Sequence, residues 1–310
     1  MLSLSEYIQQ FLEYLEVEKN VSKLTIRNYR HYLKRFEAFL KADSPTLARP
    51  DHLNYEIVRR YRLFLSRFVD QYGITLKRVT QNYHLIALRS FLKYMIKRDV
   101  VTLNPEKIDL PKTESRSLKF LGRDEVERLL NMPEISTPQG MRDKAIMEVL
   151  FSTGLRVSEL VRLNRNSVNL ESKEFGVIGK GGRARVVFLS DAAASWIERY
   201  IKERDDDYKP LFIRYSGVKK EPDPNGEVFR LTSRSVQRIV EKYVRKAHLA
   251  IKITPHGLRH SFATDLLSAG ADIRAIQEML GHKNISTTQI YTHVTNPQLK
   301  KIHSEFHRKA

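Results

Sequence analysis

The chain has 310 residues, 41% of them hydrophobic and 29% charged, a composition typical of a folded globular protein. Its net charge of +18 indicates a polyanionic partner, most often nucleic acid, although a basic surface that serves only solubility is the alternative. The absence of cysteine excludes disulfides and thiolate metal sites. The sequence shows no apolar run near membrane-span length and no signal-peptide pattern, so a cytoplasmic protein is expected.

The positive charge is shared along the chain. Residues 1–120 contain 22 lysines and arginines against 13 acidic residues, and residues 121–310 contain 32 against 23. Each part therefore has an excess of nine positive charges, and neither part is merely a basic tail.

The first hundred residues predict a bundle of about four helices. From Ser22 to Lys41, and again from Leu85 to Met95, apolar residues recur every three or four positions. Segments 4–18 and 51–71 predict two more helices. Basic residues lie mostly beside the apolar stripes, either as the solvated side of amphipathic helices or as DNA contacts, and the candidates for DNA binding are Arg27, Arg30, Lys34, Arg89 and Lys93.

Two prolines interrupt the helical pattern, in Asn104-Pro105 and Leu110-Pro111. The polar stretch that follows the first of them predicts a linker over residues 106–119, between a helical domain of residues 1–105 and a second domain of residues 120–310.

The second domain predicts a mixed architecture. Helices are expected at 123–131, 141–152, 156–163, 191–204 and 232–247. Between residues 165 and 190, two β-rich runs around Gly179-Lys180-Gly181-Gly182 predict a hairpin with a short neighbouring strand. The expected fold class is therefore mainly α with a small antiparallel β-sheet, that is, α+β.

The stretch from Ile253 to His293 predicts three short helices. Thr254 is a good N-cap for the first, and Gly270 ends it. Asp272 caps a second helix that ends at Leu280. A capping box of Ser286 and Gln289 begins a third, which places Tyr291 in its opening turns.

Several residues in these elements are candidates for chemistry. Arg156 opens a helix, where the dipole disfavours a cation, and this invites an anion-binding role with Glu159 holding the guanidinium; an ordinary ion pair is the alternative. His256 and Arg259 share a helix face and are suited to grip one phosphate, or else to capping and packing. His260 points elsewhere and is expected to be structural.

Three further residues have plainer alternatives when each is taken alone. Lys180 lies at a glycine-rich hairpin tip, where a lysine is usually solvated but can also approach a ligand. His282, directly after Gly281, fits a helix-end interaction, and Tyr291 on an amphipathic helix fits a core position.

Taken in order, these residues and their neighbours resemble the tyrosine recombinase family, with Xer-type recombinases as the most similar members. The matching stretches are TGLRVSEL (153–160), GKGGRARVV (179–187), HGLRHSFAT (256–264), LGH (280–282) and STTQIYTHV (286–294). The resemblance implies a C-shaped clamp on DNA, made of a helical core-binding domain and a catalytic domain. It also implies that Arg183 and Arg185 contact DNA.

The resemblance further implies the reaction. Tyr291 attacks a DNA phosphodiester to give a 3′-phosphotyrosine, and religation then proceeds through a Holliday junction without ATP, metal or cofactor. The expected catalytic residues are Arg156, Lys180, His256, Arg259, His282 and Tyr291, with Glu159 in support. The expected role is the resolution of chromosome or plasmid multimers. An integrase of a mobile element, a catalytically silent DNA-binding protein and a metal-dependent nuclease are the alternatives.

Beyond Asn296-Pro297, Leu299, Ile302 and Phe306 form a short apolar stripe. It can pack on its own domain, or on a neighbouring copy, as the resemblance implies for a cyclic tetramer on paired sites. A septal DNA translocase or a second recombinase is the further partner that the resemblance suggests.

Overall fold

The computed structural model describes residues 2–43, 49–111, 119–179, 182, 184–216 and 223–282. The chain divides into two compact units, Met1–Arg116 and Ser117–Ala310. Both units are mainly helical, and a single two-stranded antiparallel sheet lies in the described part of the second unit, so the expected α+β class is confirmed. The clamp arrangement stays a prediction. Within the described residues, no helix is long and apolar enough to cross a membrane.

Four helices build the described part of the first unit: α1 (Leu4–Val17), α2 (Lys23–Asp43), α3 (Tyr55–Arg67) and α4 (Arg78–Lys97). The two apolar stripes seen in the sequence become the buried faces of α2 and α4. Between these helices, aromatic rings form much of the core, and Phe11, Phe36, Tyr61 and Phe91 are at most 1% exposed. This helical unit therefore has a hydrophobic core of its own.

The basic candidates of the first unit fall into two groups. Arg27, Arg30 and Lys34 are exposed along α2. On α4, Arg89 and Lys93 instead form ion pairs with Glu106, at 2.7 and 2.8 Å.

The polar stretch after α4 packs further than its composition indicates. Ile108 is 1% exposed and joins the core of the first unit together with Leu103, and Leu110 packs against that core. The expected linker begins at residue 106, whereas these contacts belong to the first unit. Three apolar residues without helical spacing give no periodic signal, so the sequence pattern alone does not reveal this packing.

The second unit is built around one helix that is buried on most of its sides. It contains α5 (Arg123–Leu130), α6 (Pro138–Thr153), α7 (Val157–Leu160), β1 (Glu174–Ile178), β2 (Ala184–Phe188), α8 (Asp191–Lys202), α9 (Ser233–Lys246), α10 (Pro255–Ser268) and α11 (Ile273–Leu280). The central helix is α6, which packs against α5, α8, α9 and α10. Because it is surrounded, α6 needs no polar face and has no clear amphipathic pattern.

The hairpin pairs β1 with β2 in antiparallel register, with Val177 opposite Arg185. The expected third strand is not formed in the described residues, where Asn169 and Glu174 make only an isolated bridge. Helix α7 covers only Val157–Leu160 and is therefore shorter than the expected 156–163.

Candidate active site

The site forms where two helices end. Helix α6 ends at Gly154 and α11 ends at Gly281, and both glycines adopt the left-handed conformation, with φ of 59° and 62°. A Cβ atom on Gly154 would lie 2.5 Å from a ring carbon of Phe262, so both its backbone conformation and its packing require glycine. These two turns leave the last carbonyl groups of α6 and α11 available to accept hydrogen bonds from neighbouring side chains.

Arg259 lies between these two helix ends. Helix α10, which carries it, is N-capped by Thr254, as the sequence predicts. The side chain is 1% exposed and donates to the carbonyl oxygens of Gly154 and Leu280, both at 2.6 Å. Because helix C-termini carry the negative end of the helix dipole, two of them together stabilise a buried guanidinium.

Arg156 lies at the start of α7 and is held by Glu159, as expected. Its Nη1 donates to Glu159 Oε1 at 2.9 Å, and its backbone N–H donates to Glu159 Oε2 at 2.9 Å. Its Nη2 lies 3.3 Å from the carbonyl oxygen of Gly281. With 31% of its side chain exposed, Arg156 is a fixed cation at the surface of the site, beside the buried Arg259.

Glu159 has a second cationic partner, Arg185. This arginine is predicted to contact DNA, but only 10% of its side chain is exposed and its guanidinium pairs with both Glu159 oxygens, at 2.8 and 3.1 Å. Burial alone would raise the pKa of Glu159, but hydrogen bonds from Arg185 and Arg156 lower it to about 2. Glu159 is therefore ionised at neutral pH.

Three histidines surround the arginines. The ring of His256, at the exposed start of α10, lies 4.2 Å from the buried ring of His260. Desolvation and then the charges of Arg259 and Arg156 lower the pKa of His256. The same causes lower the pKa of His282, directly after α11, to about 4. Both imidazoles are thus neutral at pH 7, so each has one nitrogen that donates and one that accepts a proton.

The buried histidines make the free energy of unfolding depend on pH. Desolvation lowers the pKa of His84 and of His260 to about 4, whereas an unfolded histidine titrates near 6.5. Their stabilising effect is therefore complete above about pH 6.5 and is lost as the pH falls toward 4. We expect the free energy of unfolding to fall by up to about 1.4 kcal/mol per pH unit for each histidine in that interval.

Urea unfolding at about pH 7 and about pH 5 checks this expectation. His260→Asn should remove part of the difference between the two pH values, whereas His248→Asn, at an exposed position, should leave it unchanged. An undiminished pH dependence in His260→Asn would contradict the assignment to that side chain.

Some predicted residues lie outside the described part of the chain. They are Lys180, Arg183 and Tyr291, the expected third helix, and the segment with Leu299, Ile302 and Phe306. Among the described residues, no three His, Asp or Glu side chains lie close enough together to hold a metal ion.

The sequence analysis predicted the pair of Arg156 and Glu159 but missed the contact of Arg185 with Glu159. One signal exists: Arg185 and Val187 are two apart in a predicted strand and so share one face, and Val187 is apolar. An arginine on the face of the strand that packs inward needs a partner within the protein.

Two comparisons with known proteins decide the family. Residues 119–297 match the phage integrase family, and residues 8–99 match the phage integrase N-terminal SAM-like domain. The chain belongs to the phage integrase family. Among its relatives, tyrosine recombinase XerC of Pelotomaculum thermopropionicum is 37% identical over 98% of both chains, and tyrosine recombinase XerD of Listeria innocua is 36% identical over 99% of this chain and all of its own.

Solved structures of the family share the fold. The crystal structure of XerA recombinase, 29% identical, covers 99% of this chain and all of its own with a TM-score of 0.52. XerH recombinase bound to a palindromic difH substrate, 22% identical, covers 97% of this chain and 85% of its own with a TM-score of 0.71. The chain is a tyrosine recombinase, and its full-length relatives favour a Xer-type site-specific recombinase over the three alternatives.

Proposed function

We propose that this recombinase cuts and rejoins duplex DNA through Tyr291, and that it resolves chromosome or plasmid multimers. One observation carries the assignment of the reacting centre. Arg156, His256, Arg259 and His282 are gathered around the ends of α6 and α11. His282 precedes Tyr291 by only nine residues in the sequence. Two fixed cations beside two neutral imidazoles suit a phosphodiester that gains negative charge as it is attacked.

Each group has a role in the proposed step. The Tyr291 oxygen forms a bond to phosphorus while the bond to the 5′-oxygen breaks, which leaves a 3′-phosphotyrosine. Arg156 and Arg259 neutralise the non-bridging oxygens, and His282 donates a hydrogen bond to them. His256 accepts the tyrosine proton, and Lys180 protonates the departing 5′-oxygen. Attack by that hydroxyl, or by one from a partner strand, reverses the step, so religation needs no ATP.

The proposed ligand is the phosphate backbone of a double-stranded recombination site. The exposed basic residues Arg27, Arg30 and Lys34 on α2 support this proposal for the first unit, as does the complex of the XerH relative with its difH substrate. Arg89 and Lys93 share the single carboxylate of Glu106, so a phosphate would complete their charge balance. In the second unit, Arg183 is the proposed contact.

A nicked duplex that loses the short 5′-hydroxyl strand after cleavage tests the proposal. Because religation is then impossible, DNA should accumulate in a covalent adduct that survives denaturing electrophoresis, and EDTA should not reduce its yield. Sequencing the trapped DNA would identify the recombination site. Cleavage without a covalent adduct, or cleavage abolished by EDTA, would instead indicate a metal-dependent nuclease.

We also propose that four copies assemble on paired sites through the segment with Leu299, Ile302 and Phe306. The sequence predicts only a short helix there, which would need to pack its apolar stripe against another surface to be stable. A head-to-tail contact of this kind closes into a ring. A second recombinase or a septal DNA translocase is the proposed further partner.

Ending the chain after Pro297 tests this link. The shortened protein should bind a half-site with nearly unchanged affinity, but cooperative filling of a full site in a gel-shift assay should drop by about tenfold or more. Assembly and recombination at the rate of the full chain would show that the segment does not join the copies.

A further inference from the structure

Arg185 lies on the inward face of β2, where a basic residue that only serves the protein surface is not expected. Side chains alternate along a strand, and Arg185 shares the inward face with Val187, which is 3% exposed. A charged group on that face lies away from water and is stable only with partners of matching charge and geometry. The partners of Arg185 therefore indicate what this residue does.

Those partners belong to two other elements of the site. The guanidinium fork meets both carboxylate oxygens of Glu159 on α7, a paired geometry that lysine cannot reproduce. Its Nε donates to the carbonyl oxygen of Met279 at 3.0 Å, in the last turn of α11. One side chain thus joins the hairpin, the helix that follows Arg156 and the helix that precedes His282.

The charges of this cluster have a direct consequence for Arg156. Glu159 accepts hydrogen bonds from both Arg156 and Arg185, so the three groups together carry one net positive charge. Without Arg185, Arg156 and Glu159 would form a neutral pair, and the attraction of Arg156 for an anion would be largely cancelled. The second arginine leaves the charge of the first available to a substrate.

We propose that Arg185 is a positioning residue for the recombination reaction, which compensates the charge of Glu159 so that Arg156 keeps its full attraction for the scissile phosphate. The inference rests on the proposed function, because it assumes that a phosphate binds at Arg156. Arg185 itself does not touch the phosphate, and it acts through Glu159.

The end of α11 gives this network a second connection to the site. Its three successive carbonyl oxygens from Met279 to Gly281 each accept from a different arginine, in order Arg185, Arg259 and Arg156. A Cβ atom on Gly281 would lie 3.1 Å from Cδ of Arg185, so the two residues are packed closely. Arg185 and the two proposed phosphate ligands thus hold one helix end in common.

If Arg185 compensates the charge of Glu159, removing both charges should restore a rate that removing Arg185 alone reduces, whereas a purely structural role of Arg185 predicts no such recovery. Arg185→Met should form the covalent adduct on nicked DNA about 100-fold more slowly at saturating DNA, the scale of loss for a misplaced catalytic group. Arg185→Met combined with Glu159→Gln removes both charges and should recover the rate by about tenfold or more. Arg185→Lys keeps the charge and should remain within about tenfold of the unaltered chain.

Single-turnover rates and DNA dissociation constants, measured separately, distinguish the two explanations. A residue that only supports the fold would lower the melting temperature, and the added Glu159→Gln would not restore the rate. The proposal is overturned if the double variant is as slow as Arg185→Met, or if Arg185→Lys is as slow as Arg185→Met. If Arg185→Met does not fold at the assay temperature, Arg185→Gln is used in the same comparison.

Two controls complete the experiment. Arg204 is also buried, pairs with the carboxylate of Asp206 and donates to the carbonyl oxygens of Pro210 and Leu211. Arg204→Met should therefore reduce stability without slowing adduct formation at a temperature where it is folded. Failure of the proposed function is seen separately, because the unaltered chain would then form no adduct at all.

Discussion

Replacing Tyr291 with phenylalanine is expected to abolish the covalent protein–DNA adduct and leave binding to duplex DNA unchanged. The substitution removes one oxygen atom, which is the proposed nucleophile, and keeps the aromatic ring. The proposed phosphate ligands Arg156 and Arg259 do not depend on that oxygen, because Glu159 holds Arg156 and the carbonyl oxygens of Gly154 and Leu280 hold Arg259. Loss of the nucleophile should reduce the rate of adduct formation by at least about 10⁴-fold.

Denaturing electrophoresis of the complex with nicked DNA measures the adduct, and a gel shift under native conditions measures binding. Tyr72→Phe is the matched control, because Tyr72 is 77% exposed in the first unit and has no proposed role in the reaction. It should form the adduct at the rate of the unaltered chain. A denaturation-resistant adduct in Tyr291→Phe would assign the nucleophile to another residue.

The parts of the site that depend on local sequence were predictable. Thr254 and Asp272 cap α10 and α11, and α11 ends at Leu280, all as expected. The pair of Arg156 and Glu159 is likewise local, three residues apart at a helix start. Capping and short-range pairing are decided by neighbouring residues, so one sequence contains the information needed to predict them.

The contacts that complete the site join residues far apart in the chain. Arg185 meets Glu159 across 26 positions, and Arg259 donates to Gly154 across 105. The acceptors of Arg259 are backbone carbonyls, which every residue has, so no residue type marks them. Arg185 was expected to contact DNA from the family resemblance, and in the sequence only the strand alternation with Val187 indicates otherwise.

The fold followed the same division between periodic and irregular segments. The amphipathic helix α2 was predicted closely, because its apolar stripe records which face packs on the core. The stretch around Ile108 was assigned to a linker, since packing without periodicity leaves no pattern to read. The short strand expected beside the hairpin is not formed in the described residues. It was expected from β-propensity, which depends on context more than helix propensity does.

Replacing Lys180 with alanine is the second change with a large expected effect, and it tests the proposed proton donor. A 5′-oxygen that leaves as an alkoxide is a poor leaving group, so loss of the general acid should slow adduct formation by about 10²–10⁴-fold. A sulfur atom in place of that oxygen leaves as a thiolate, whose conjugate acid has a pKa near that of cysteine, about 8.5. Lys180→Ala should therefore react with the sulfur-containing DNA at nearly the rate of the unaltered chain.

Two variants show whether that rescue is specific to Lys180. Lys173→Ala, just before β1, removes a lysine that pairs with Asp191 at 2.5 Å, and it should cleave both DNAs normally. Arg259→Ala should stay slow on both, because a better leaving group does not replace a ligand of the non-bridging oxygens. Lys180 is the proton donor only if sulfur restores Lys180→Ala and leaves Arg259→Ala slow. Equal slowing of Lys180→Ala on both DNAs would mean that its ammonium group stabilises the phosphate instead of protonating the leaving oxygen.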